Sequence, residues 1–178
     1  MRFVNYKGET YIGNVTNEAM SEVAARGLPL PEIVRVETAS FLRYPDADKR
    51  VAEYRRQDAE LVVNSGSVFW AEEERFPGMI AGEQFRKGWW SSDSRIHPVR
   101  HELGHRVNHS ASPKQWFQYL TKANMPEEAL RKIVGQVSRR AELDPSEFVA
   151  EVFSGVLAGK TYAATVMTWY RTFGGVIP

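Results

Sequence analysis

Every histidine of this chain stands in one short stretch, at four-residue intervals: His97, His101, His105 and His109. If that stretch is helical, positions i and i+4 share a face and the imidazoles can act together. The central pair lies in His101-Glu102-Leu103-Gly104-His105, an H-E-x-x-H run. Two imidazoles one turn apart can hold one metal ion, and the glutamate beside the first can take a proton from an activated water. A helix is expected on other grounds too. Pro98 suits a first helical turn, and Val99, Leu103 and Val107 recur at i, i+4 and i+8 as an apolar face. Gly104 costs a helix about 1 kcal/mol against alanine, so another element is expected to pack closely there. His97 and His109 lie one turn outside the pair. They are expected to support the ligands from outside or to sit on the surface, since His109 is too near for the third histidine of the longer H-E-x-x-H-x-x-G-x-x-H pattern.

Two histidines leave zinc short of a protein ligand, because hydrolytic sites use three and keep a fourth position open. The candidate lies in Asp144-Pro145-Ser146-Glu147-Phe148-Val149-Ala150-Glu151. Asp144 reads as an N-cap and Pro145 as the first helical residue. Glu147 and Glu151 then share one edge of a helix whose Phe148, Val149, Val152, Phe153 and Val156 face inward. Two readings of Glu147 stand at this point. It is a metal ligand, or it is the third-position glutamate of a capping box, turned back to the Asp144 amide.

The run His101-Glu-Leu-Gly-His105, followed by Ser138-Arg139-Arg140-Ala141 and Pro145-Ser-Glu-Phe-Val-Ala-Glu151, resembles the anthrax lethal-factor-like zinc peptidases, a group found in phage and mobile-element proteins and in secreted toxins. The likeness spans roughly Trp89 to Gly174-Gly175. It implies a zincin-like fold, with zinc held by His101, His105 and Glu147 and with Glu102 as general base. It also implies that Glu151 is a carboxylate orienting a histidine ligand. Where that family has a tyrosine that stabilises the transition state, this chain has Arg140. A guanidinium offers several donors and a permanent charge, so two readings of Arg140 stand: it serves as the oxyanion donor, or it is a solvent-facing arginine at a merely aligned position.

Composition sets wider bounds. The chain has 178 residues, 43% of them hydrophobic and 25% charged, which fits one domain with a real core. With no cysteine, neither disulfides nor thiolate ligands are available, and a metal must be held by imidazole and carboxylate. A net charge of +1 argues against a dedicated nucleic-acid binder. No stretch reads as a membrane span and Met1–Thr10 does not read as a signal peptide. The expected location is therefore cytoplasmic or virion-associated. Arg95, Arg100, Arg106 and Arg139 are expected to be solvated helix-surface residues; the other reading gathers them with Arg140 at the rim of a cleft that favours acidic segments of a substrate. Trp89 and Trp90 are expected to wall a cleft, with at least one in the core.

The expected class is α+β, zincin-like, with a small mixed N-terminal sheet ahead of a helical half, over residues 1–178 as a single domain. A helix capped by Thr16 ends before Gly27. Strands are expected at Ile33–Val36, Val51–Tyr54, Glu60–Asn64 and Ser67–Trp70, with a hairpin turn at Asn64-Ser65-Gly66. Residues 72–94 read as loop. Helices then follow over the H-E-x-x-H run, from Pro113 behind a Ser112-x-x-Gln115 capping box, from Pro126 to about Arg139, over Glu147, and from Tyr162 to Thr172. The segment Glu60–Trp70 is expected to supply the sheet edge bordering the cleft, where an extended peptide can add as a strand. The function expected from all this is a zinc-dependent endopeptidase acting on a protein or peptide. The alternatives are a regulatory peptidase of the phage-repressor-cleaving kind and a non-catalytic, zinc-stabilised module among phage virion components or toxins.

Overall fold

Four strands make one sheet in the spatial order β1-β2-β4-β3, with β1 at Arg2–Val4, β2 at Ile33–Glu37, β3 at Ala52–Arg55 and β4 at Glu60–Asn64. These come from a computed structural model that describes residues 1–112 and 128–178. β1, β2 and β4 run parallel, and β3 pairs antiparallel to β4 with Tyr54 opposite Leu61. The parallel pairing of β1 with β2 needs a crossover, and α1 (Tyr11–Ala24) supplies it. β4 is buried at every position, and its Leu61-Val62-Val63 run does not alternate with polar residues. That is the pattern of a strand with neighbours on both sides and both faces covered. β4 is therefore interior, and the expectation that Glu60–Trp70 forms the edge is corrected: the edges are β1 and β3.

Several local expectations are also revised. The α1 cap is Thr10, whose side chain accepts from the Gly13 amide; Thr16 lies buried within the helix and donates to the Ile12 carbonyl. The hairpin joins β3 to β4. Asn64-Ser65-Gly66 instead turns the chain into a helix, and the Asn64 amide donates to the Ala47 and Arg50 carbonyls. Ser67–Trp70 is not a strand. It opens α2 (Val68–Arg75), and α3 (Met79–Arg86) occupies part of the expected loop. Gly78, with φ of 80°, makes the turn between them, a conformation that favours glycine.

The second half is helical: α4 (His97–Ala111), α5 (Glu128–Val134), α6 (Pro145–Leu157) and α7 (Ala164–Thr172). The helix expected from Pro113 lies outside the described residues, as does the start of the one expected from Pro126. α4 packs most extensively on α6, and also on β3 and α1. Val99, Leu103 and Val107 are buried in the main core with Val15, Val34, Leu61, Phe148 and Phe153. Gly104 is the contact point between α4 and α6. A Cβ there would stand 3.0 Å from Ala150 Cα and 3.1 Å from Phe153 Cδ1. The architecture is α+β, and no helix among the described residues is long and apolar enough to cross a membrane.

Candidate metal centre

α4 is buried along most of its length, polar residues included: His97, Arg100, His101, Glu102, His105 and Asn108 are all buried. Polar groups out of water need partners, and α6 supplies those of His97, His101 and His105. Asp144 caps α6 by accepting from the Glu147 amide at 2.9 Å. The reciprocal half of a capping box is not made. The Glu147 carboxylate instead faces α4, with Oε2 3.2 Å from His101 Nε2 and Oε1 3.3 Å from His105 Nε2. The two sequence readings of Glu147 are thereby separated: the aspartate caps the helix and the glutamate meets both imidazoles.

His101 Nε2 is buried and makes no hydrogen bond among the described residues, although Glu147 Oε2 lies 3.2 Å away. Its other nitrogen, Nδ1, donates to Glu151 Oε1 at 2.8 Å. His105 Nδ1 is 3.1 Å from Ser146 Oγ. An imidazole braced at Nδ1 with an unsatisfied Nε2 beside a carboxylate is the donor arrangement a cation satisfies. Ligand atoms of His101, Glu102 and His105 also lie within 4.8 Å of one another. These buried groups fit a metal ion.

Electrostatics agree with that fit. Burial and Arg140 push the His101 pKa down, but Glu147 and Glu151 outweigh both and hold it up at about 9. Burial pushes the Glu147 carboxyl up, yet Arg140, His101 and His105 hold it well below the usual carboxylate range. Glu151 is likewise raised by burial and then held well below that range by His97 and His101. Carboxylates that favour the charged form of a buried imidazole would also favour a cation in the same place.

Glu102 is fixed by the sheet. Its Oε2 accepts from the backbone amide of Tyr54 on edge strand β3 at 2.8 Å. Arg140, in the short turn Arg140–Glu142 before α6, lies across the opening. Its Nε donates to Glu147 Oε2 at 2.5 Å, and its Nη2 is 3.9 Å from Glu102 Oε1. The guanidinium is about a third exposed. Glu102, Arg140 and Glu147 line one side of a cleft of about 730 Å³, whose other walls include Val51, Ala52, Phe69, Ile80, Trp89 and Trp90. Trp90 is buried and Trp89 is 38% exposed. They separate at a bend in the chain, within the stretch read from the sequence as loop.

The other arginines do not gather at this opening as a group. Arg100 is buried, against expectation, because α1 passes beside it and Glu22 takes its guanidinium at 2.6 and 2.5 Å. Arg95 pairs with Glu18, Arg106 donates to the Leu30 carbonyl, and Arg139 stacks over Trp89. His109 Nδ1 is 2.8 Å from Tyr54 Oη, away from the cleft. Sequence reasoning gave no part to Ser91, Ser138 and Ser146, whose groups brace Glu151 and His105. Serines are common, and only the fold brings these three to the carboxylate and imidazole. No protein-family model matches the chain, and no curated protein or solved structure matches it.

Proposed function

We propose that the protein is a zinc-dependent endopeptidase with a zincin-like fold, its metal held by His101, His105 and Glu147. The observation that carries the reading is the buried, unsatisfied His101 Nε2 flanked by His105 and Glu147, next to a carboxylate that opens on a cleft. Two imidazoles and a carboxylate, with no cysteine in the chain, suit zinc. When bound, zinc supplies Lewis acidity and brings the pKa of a water toward about 7.

The protein's own groups would do the rest. The Tyr54 amide pins one oxygen of Glu102, leaving Oε1 on the cleft side to accept the proton of the attacking water and pass it to the departing amine. The Arg140 guanidinium, with donors beyond the one given to Glu147, would meet the developing oxyanion. Along β3 backbone groups alternate in direction. Val51 C=O bonds inward to the Asn64 amide and the Tyr54 amide points outward to Glu102, so the Ala52 N–H and C=O face outward. Ala52 lines the cleft, and an extended peptide can pair there by strand addition.

A second reading, a zinc-stabilised module without turnover, is favoured by one observation. Arg140 bonds Glu147 and approaches Glu102, so it could neutralise both carboxylates. One experiment separates the two. Zinc-loaded wild type is incubated with a broad peptide library beside Glu102→Gln. The endopeptidase reading expects cleavage by wild type and a loss of at least about a hundredfold in the variant, with zinc retained. Equal cleavage by both rules out Glu102 as base, and a wild type that binds zinc but cleaves nothing supports the module.

A further inference from the structure

Beyond the ligands lies a buried polar cluster that the proposed chemistry does not use. The Glu151 carboxylate accepts four hydrogen bonds, two on each oxygen. Oε2 takes the Ser91 amide at 2.8 Å and Ser138 Oγ at 3.0 Å. Oε1 takes His101 Nδ1 at 2.8 Å and His97 Nε2 at 3.1 Å. His97 is fully buried. Because Glu151 can only accept, His97 carries its proton on Nε2. Its Nδ1 then accepts from Ser154 Oγ at 2.9 Å or Ser92 Oγ at 3.1 Å. Trp90 stacks on the ring at 4.7 Å with 20° between planes and also lines the cleft, so it shields the cluster from cleft water.

We infer that His97 is a positioning residue for the metal centre, acting through Glu151 to fix the His101 ring with Nε2 toward the ion. This rests on the reading above that His101 is a metal ligand. A carboxylate with every lone-pair direction engaged has one orientation, and its hold on His101 Nδ1–H sets both the tautomer and the ring plane. Remove the His97 N–H and Oε1 keeps a single donor in a site that water does not reach. The carboxylate is then free to turn about its Ser91 and Ser138 contacts, and His101 turns with it. The cluster also reaches Arg140. Ser138 Oγ, held by Glu151, accepts the Ala141 amide at 3.1 Å, which anchors the turn carrying that guanidinium.

The test measures zinc affinity of metal-stripped protein by competition with a chromophoric chelator, alongside circular dichroism and the cobalt(II) visible spectrum. His97→Phe keeps the ring stack and removes the N–H, so zinc should bind about 10–100-fold more weakly and the cobalt spectrum should shift. His97→Gln, whose amide can reach Glu151, should recover most of the affinity. If His97→Phe does not fold, His97→Asn, polar but too short to reach, replaces it in the comparison with His97→Gln. A folded His97→Phe or His97→Asn with wild-type zinc affinity and cobalt spectrum overturns the inference and leaves the metal site standing. A wild type that binds no zinc overturns both.

Discussion

Arg140 is the residue where two demands meet. It pairs with Glu147 and lines the cleft, so on the proposed reading it would weaken that carboxylate as a ligand and place fixed positive charge where an oxyanion would form. The two roles are separable by truncation. Arg140→Ala should lower kcat by about a hundredfold, the scale of losing one oxyanion donor, while zinc affinity stays the same or rises because Glu147 loses its competitor. Steady-state kinetics on a cleaved peptide, with a chelator titration of the same samples, checks both halves. Unchanged kcat would make Arg140 a charge balance for Glu147 and nothing more. At this scale the sequence was informative about residue types and silent about direction. Asp144-x-x-Glu147 has the same spacing whether the glutamate caps or binds, and only the position of α4 shows that its carboxylate faces the imidazoles. For His97 the sequence left support from outside and a surface place both open, and it could not name Glu151 and Ser154 as partners, since they stand more than fifty residues away.

Among the elements, the spacing of α4 and α6 governs the site, because one helix carries both histidines and the other carries Glu147. Gly104 sets that spacing. Alanine there would gain about 1 kcal/mol of helix propensity, but its Cβ would meet the Ala150 backbone at 3.0 Å, and backbone does not yield as a flexible side chain does. Overpacking of this kind costs about 1–3 kcal/mol, so the clash wins. Gly104→Ala should lower the melting temperature by about 2–4 °C for a net loss near 1 kcal/mol, and it should weaken zinc binding by parting the imidazoles from Glu147. A melting temperature at or above wild type, with unchanged zinc affinity, would show that the helices have slack. The close approach itself was legible, as were α4 and α6, because periodic apolar positions and Pro–Asp cap signals agree with the tertiary packing. α2 was misread because Val68-Phe69-Trp70 are strand-favouring residues. Phe69 and Trp70 are buried in a helix instead, where packing overrides propensity.

The whole molecule places an edge strand, a buried helix pair and a cleft around one cluster of donors. The order of strands could not be read from the chain. β1 and β2 pair across thirty residues, and nothing local says that β4 inserts between β2 and β3. β1 itself is three residues long and mostly exposed, too short for periodicity to show. The cleft followed from that order, since it puts the backbone of Tyr54, and not that of β4, against Glu102. All of this bears on function only if the donors hold an ion. The direct measurement is zinc per chain, by elemental analysis after exhaustive dialysis, in wild type and in Glu147→Ala, each shown to be folded by circular dichroism. The expected result is about one equivalent in wild type and about a tenth or less in the variant, on the scale of losing one of three protein ligands. A full equivalent retained by Glu147→Ala, or none in wild type, would contradict the account.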